Sequence, residues 1–148
     1  MVKMEKSVDI GSGGTKHYPW GKRASVNVDI LKPETRIPNF ILADAHQLPF
    51  KDGFFRKAYC SHVLEHVDSP ETVIKELLRI CNGTILIRVP HRLSPHAGKD
   101  PSHKWSFRCT WFHTLLRRLG CTYALDVKYK KVLWLFDLPF EIRVVIRK

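Results

Sequence analysis

The chain has 148 residues, 44% of them hydrophobic, which suits one domain spanning 1–148 and is short for two. No run of about 18 apolar residues occurs, so no membrane span is expected. The net charge of +11 is lopsided: residues 1–74 carry 10 Lys and Arg against 9 Asp and Glu, whereas residues 75–148 carry 15 against 5. A general solubility device needs no such asymmetry; an anionic partner would exploit it. Cys60, Cys81, Cys109 and Cys121 form no CxxC pair, so reduced thiols and a cytoplasmic location are expected. MVKMEKSVDI runs almost directly into a strand and lacks the layout of a signal peptide.

In chain order, SVDIGSGG at 7–14 reads as a short buried strand followed by a glycine turn. Asp9 sits at the strand's C-terminal edge, where open α/β sheets bind ligands. Pro19 and Gly21 then break any full crossover helix. SVNVDI at 25–30 predicts a second strand ending at Asp29, at the distance from a glycine loop where an acid accepts ribose hydroxyls. NFILAD at 39–44 predicts a third, again ending in an acid, Asp44. FRKAYCSHVL at 55–64 predicts a fourth.

Ser69-Pro70-Glu71 combines a hydroxyl cap, proline at the first helical position and an early acid. The helix it starts carries Val73, Ile74, Leu77, Leu78 and Cys81 at helical spacing, with Asn82-Gly83 as its expected stop. TILIRV at 84–89 predicts a strand buried on both faces. A long histidine- and proline-rich loop follows, from Pro90 to Ser106. Thr110–Leu119 predicts a second amphipathic helix, and 121–136 with 140–147 two antiparallel closing strands.

VDIGSGG, NVDI, ADAHQLPF, YCSHVLEHV and TILIRVP together resemble the class I S-adenosylmethionine-dependent methyltransferases over almost the whole chain. The resemblance implies a Rossmann-like, mostly parallel seven-stranded sheet with an antiparallel C-terminal strand. It also implies S-adenosyl-L-methionine as cofactor. Asp9, Gly11, Ser12, Gly13 and Gly14 would then surround the methionine part, and Asp29, with Ile30 beside it, the ribose. Asp44 and the Ala45 backbone would meet the adenine, and Ser61 and His62 the sulfonium. His103, in DPSHKW, resembles a position on a loop that closes over the substrate side. Position 15, where many members have a third glycine, is Thr15, and helices are shortened on one side of the sheet. A partner subunit or second copy could cover the surface this leaves bare.

If the methylated atom must lose a proton, His62 or His91 is the candidate base. His91, His96, His103, Cys109 and His113 match no standard zinc spacing, so no metal is expected. The basic second half points to an anionic acceptor, either RNA or a phosphorylated or lipid-linked metabolite. The competing readings are a catalytically weak member serving as an RNA-binding or accessory subunit, and a nicotinamide dehydrogenase. The second would want glycine where Lys16 stands.

Overall fold

The computed structural model describes residues 6–13, 24–95, 97–132 and 136–148; Gly14, Thr15, Lys16 and His96 lie outside them. Seven strands form one sheet: β1 (Ser7–Ile10), β2 (Val26–Asp29), β3 (Phe40–Leu42), β4 (Phe55–Ser61), β5 (Cys81–Pro90), β6 (Thr122–Val132) and β7 (Phe136–Arg147). Their order is β3-β2-β1-β4-β5-β7-β6. The β1–β2, β2–β3, β1–β4 and β4–β5 pairs are parallel, and β7 runs antiparallel to both its neighbours. This is the expected mostly parallel sheet with an antiparallel C-terminal strand. The order reverses at β1 and β4, which opens a crevice beyond their C-terminal ends.

Alternation along the strands separates two faces. Val8, Ile10, Ala58, Cys60, Ile85, Ile87, Ile142 and Val144 are buried, while Asp9, Tyr59, Leu86 and Arg143 between them are half-buried. Helices α1 (Pro70–Ile80) and α2 (Cys109–Arg118) contribute Leu77, Ile80, Phe112 and Leu116 to the same buried cluster. At α1 the Ser69 side chain accepts from the Thr72 amide, as the Ser-Pro-Glu start predicts.

The expected helix stop is corrected by the structure. Strand β5 begins at Cys81, directly after the helix, and Asn82-Gly83 lies inside it. Gly83 serves a close approach of backbones: a Cβ there would stand 2.2 Å from the Arg56 carbonyl oxygen, beside the β4 register shift. Strand β7 starts at Phe136, earlier than 140, and Pro139 is accommodated where the β6–β7 register shifts at Lys128/Tyr129.

Residues 43–54 connect β3 to β4 without a helix. The Arg79 guanidinium of α1 holds this segment. It donates to the carbonyls of Leu48 (2.9 Å) and Phe50 (2.7 Å) and to Asp52 (2.9 Å). Glu76 braces Arg79 from one turn earlier and accepts the Leu48 amide at 2.8 Å. A polar hub thus does the work of a packed helix face.

Candidate active site

A cleft of ≈ 380 Å³ lies at the C-terminal ends of β1, β2 and β4 and beyond β3, where its lining includes Gly11, Asp29, Ile30, Asp44, Ala45 and His62. Ile10 ends β1, and the chain turns at Gly11, whose φ is +72°. A Cβ at Gly11 would come within 2.1 Å of Val63 Cγ2, so only glycine lets the loop and the β4 turn meet. Gly11 and Ser12 donate their amides to the Val28 carbonyl. The Ser12 hydroxyl is buried with no hydrogen-bond partner among the described residues. A constricted glycine turn and an orphaned hydroxyl fit a loop shaped to receive a ligand.

Asp29 ties the glycine loop to the end of β2, accepting the Gly13 amide at 2.8 Å and the Leu31 amide at 3.0 Å. Asp9 stands beside it on β1. Burial, reinforced by the Asp29 charge, pushes the Asp9 carboxyl up to about 6. Asp44 lies two residues beyond β3 and is held by His46, whose amide (2.9 Å) and ring Nδ1 (2.6 Å) both reach Oδ1. Those two hydrogen bonds, backbone first, lower its carboxyl below the usual range. His46 Nε2 accepts the Ser69 amide, so Nδ1 carries the proton given to Asp44.

His62 follows β4 with φ +56°, a left-handed conformation that costs a non-glycine residue energy. Its Nε2 lies 3.1 Å from Glu141 of β7 and its Nδ1 3.3 Å from Glu65. The Glu141 hydrogen bond, then the Glu65 carboxylate, push His62 up to about 9 against the opposing effect of burial. For Glu141, burial alone would raise the carboxyl, but His62, Arg143 and Arg88 overcome it and hold it at about 2. At neutral pH this is an imidazolium paired with the Glu141 carboxylate.

Beyond His62 opens a second cleft of ≈ 590 Å³, walled by Glu65, His103, Pro90 and Phe140. His62 and His66 line both clefts and form the partition between them.

The strand-end acids are thus brought to one edge. Asp9, Ser12, Gly13 and Ser61 adjoin the first cleft but are not among its lining residues, and Gly14 is outside the described residues. His91 follows β5 yet lines neither cleft; its Nδ1 accepts the Leu93 amide, and burial with Arg108 lowers its proton affinity. Sequence reasoning missed His46, Lys104 and Glu141. For His46 the Asp-x-His spacing of a side-chain-capped turn was the available signal. Lys104 lines the first cleft through a pairing with Asp68 at 2.6 Å that nothing local announces.

A family model described as a methyltransferase domain matches residues 8–87, more than half of the chain. No curated protein sequence matches. Among solved structures, the chain is similar to a Thermotoga maritima S-adenosylmethionine-dependent methyltransferase described as a possible histamine N-methyltransferase. The two share 20% identity over 97% of this chain and 83% of that one, with a TM-score of 0.72. It is also similar to a methyltransferase from Haloferax volcanii solved in complex with the Trm112 methyltransferase activator (14% identity, 97% and 81% covered, TM-score 0.70). A third is a Methanosarcina mazei methyltransferase (15% identity, 97% and 92% covered, TM-score 0.67). At these identities the structures speak for the fold. With the family match over the strand-end acids and the glycine turn, the chain belongs to the class I S-adenosylmethionine-dependent methyltransferases, and S-adenosylmethionine is its cofactor.

Proposed function

We propose that the first cleft holds S-adenosylmethionine and the second an anionic methyl acceptor, with transfer across the His62–His66 partition. The carrying observation is that two clefts of ≈ 380 and ≈ 590 Å³ share those two residues. In the first, Asp29 and Ile30 would take the ribose, and Asp44 and Ala45 the adenine. Asp9, Gly11, Ser12, Gly13, Gly14 and Ser61 would surround the methionine part. The cofactor supplies a methyl group already activated on sulfur. The chain's task is to align the acceptor and exclude water.

His62 is the candidate catalytic residue that touches the acceptor. With Nε2 held by Glu141, its Nδ1 is the nitrogen that can turn a hydrogen bond toward the acceptor. It becomes a base once a carboxylate partner is withdrawn. His91, neutral but outside both clefts, would need the Pro90–Ser106 loop to bring it closer.

An anionic acceptor is supported by the β6–β7 hairpin. Its register sets Lys128 opposite Glu141, the partner of His62, with Lys130 and Lys131 further along the same arm. Lys128, Tyr129, Lys130 and Lys131 are all exposed, the arrangement of charge and aromatic surface that holds RNA or a phosphorylated metabolite. A partner subunit or second copy is supported by Ile30, Leu31 and Leu42, which are 63%, 73% and 61% exposed beside the first cleft.

The test has two stages. Calorimetric titration with S-adenosylmethionine and S-adenosylhomocysteine should show binding that Asp29→Ala and Asp44→Ala each remove. Methyl-labelled cofactor is then offered with total RNA and, separately, with phosphorylated metabolites. Label should pass to one of these pools and fall when Lys128, Lys130 and Lys131 are replaced by serine. Binding without transfer to either pool would favour the accessory-subunit reading instead.

A further inference from the structure

A buried carboxylate ordinarily spends its charge on hydrogen-bond donors. Glu65 does not. It is 1% exposed, and neither carboxylate oxygen accepts a hydrogen bond among the described residues. The nearest cation, His62, stands 3.3 Å from Oε1 without hydrogen-bond alignment and gives its other nitrogen to Glu141. Meanwhile the Glu65 carbonyl accepts the amides of Lys104 (2.7 Å) and Trp105 (3.2 Å), which straps the loop bearing His103 over the carboxylate.

Two imidazoles complete the cluster. The rings of His66 and His103 meet with centroids 4.8 Å apart. One nitrogen from each ring and one Glu65 oxygen all lie within 4.8 Å of one another. Both histidines have their tautomers set from outside. His103 Nδ1 faces the Ala97 carbonyl and His66 Nδ1 the Ser102 carbonyl, each at 3.3 Å. A carbonyl only accepts, so Nδ1 bears the proton and Nε2 is left with its lone pair. The Ser102 hydroxyl agrees with this polarity. It donates to Asp100 and so can accept from His66 Nδ1 at 3.0 Å. Carbonyl-anchored imidazoles beside a carboxylate are how proteins orient metal ligands.

We propose that Glu65, His66 and His103 form a binding site for a divalent metal ion of the zinc type, open toward the second cleft. All three residues line that cleft. Two imidazoles and one carboxylate are a borderline nitrogen–oxygen set, suited to zinc and its neighbours rather than to calcium or magnesium. An ion of this type takes bonds of ~2.0–2.2 Å, so the three ligand atoms must draw in around it. Asp100 Oδ2, 3.7 Å from His103 Nε2, is a further oxygen beside the set. The alternative, a set of bare ion pairs, gives Glu65 Oε2 no partner. Spacing missed the site because it grouped His103 with its neighbours in sequence, whereas the fold carries it to the turn after β4.

An ion here would offset the Glu65 charge and present an open position where an acceptor hydroxyl or water loses its proton more readily. Only this consequence rests on the methyl-transfer reading. The binding test uses neither cofactor nor acceptor, so the two can fail separately.

The full chain, freed of metal with a chelator, is titrated with zinc chloride by calorimetry and with cobalt(II) followed by visible absorption. One ion per chain is expected, with a d–d band for cobalt and a rise in Tm with zinc. Glu65→Gln and His103→Gln should each weaken binding by about tenfold or more. His113→Gln should leave it unchanged, because the His113 ring bonds the Tyr123 hydroxyl at 2.7 Å instead. His103→Gln, on a surface loop, serves if Glu65→Gln does not fold. Failure of the wild-type chain to bind saturably, or affinity unchanged in a folded ligand variant, would overturn the proposal.

Discussion

Asp9 is a place where binding and stability should pull in opposite directions. Burial and the Asp29 charge push its carboxyl up to about 6, from the ~3.9 of an exposed aspartate. Between those values the folded chain binds more protons than the unfolded chain, so stability falls as pH rises through the window. The cost is complete above about pH 6 and, at ~1.4 kcal/mol per pH unit, amounts to about 3 kcal/mol at about pH 7.5. It shrinks to about 1 kcal/mol at about pH 4.5. Asp9→Asn keeps the shape and removes the charge. Urea unfolding should therefore find the variant more stable by about 1–3 kcal/mol at about pH 7.5, with most of the gain lost at about pH 4.5. If Asp9 faces the cationic methionine part of the cofactor, the same variant should bind S-adenosylmethionine about tenfold more weakly. Wild-type binding near pH 6 should also release a fraction of a proton, read as a dependence of the calorimetric heat on buffer ionisation. A variant no more stable than wild type at neutral pH would refute the argument, because the buried carboxylate would then carry no penalty.

Three further outcomes follow from named contacts. Gly11→Ala places a Cβ 2.1 Å from Val63 Cγ2 at a φ of +72°, so cofactor affinity in calorimetry and Tm should both fall, with about 1–2 kcal/mol lost. Arg79→Met removes the hub of the 43–54 segment and leaves Glu76 without its guanidinium. Thermal unfolding should show a loss of about 2–4 kcal/mol, and adenine-side binding should weaken with it. Phe112→Ala empties a fully buried position under α2 and should cost about 3–5 kcal/mol by chemical denaturation, with cofactor affinity retained in the folded fraction.

What could be read from the chain was local. The acids Asp29 and Asp44, the glycine turn and the Ser69-Pro70-Glu71 helix start are written in a few consecutive residues; the helix starts at Pro70, Asp29 ends β2, and Asp44 lies two residues beyond β3. What escaped was decided across the sheet. Asn82-Gly83 has the composition of a helix stop, yet the glycine answers to the Arg56 backbone on the neighbouring strand. Glu141 meets His62 from 79 residues away, a pairing set by β5–β7 register that no motif records. Glu65 reads locally as part of a turn; its burial beside His66 and His103 emerges only when the 100–105 loop folds over it.

The two margins of the sheet are guarded differently. Strand β3 has three residues, too little backbone to template a further strand. Strand β6 has eleven, and its outer ladder would be an open template were Lys128, Lys130 and Lys131 not spread along its projecting end. Besides any affinity for a polyanion, like charges on this edge oppose the edge-to-edge pairing of identical molecules. Screening them with high salt, or exchanging them for serine, should promote self-association of the chain, visible as growth in light scattering.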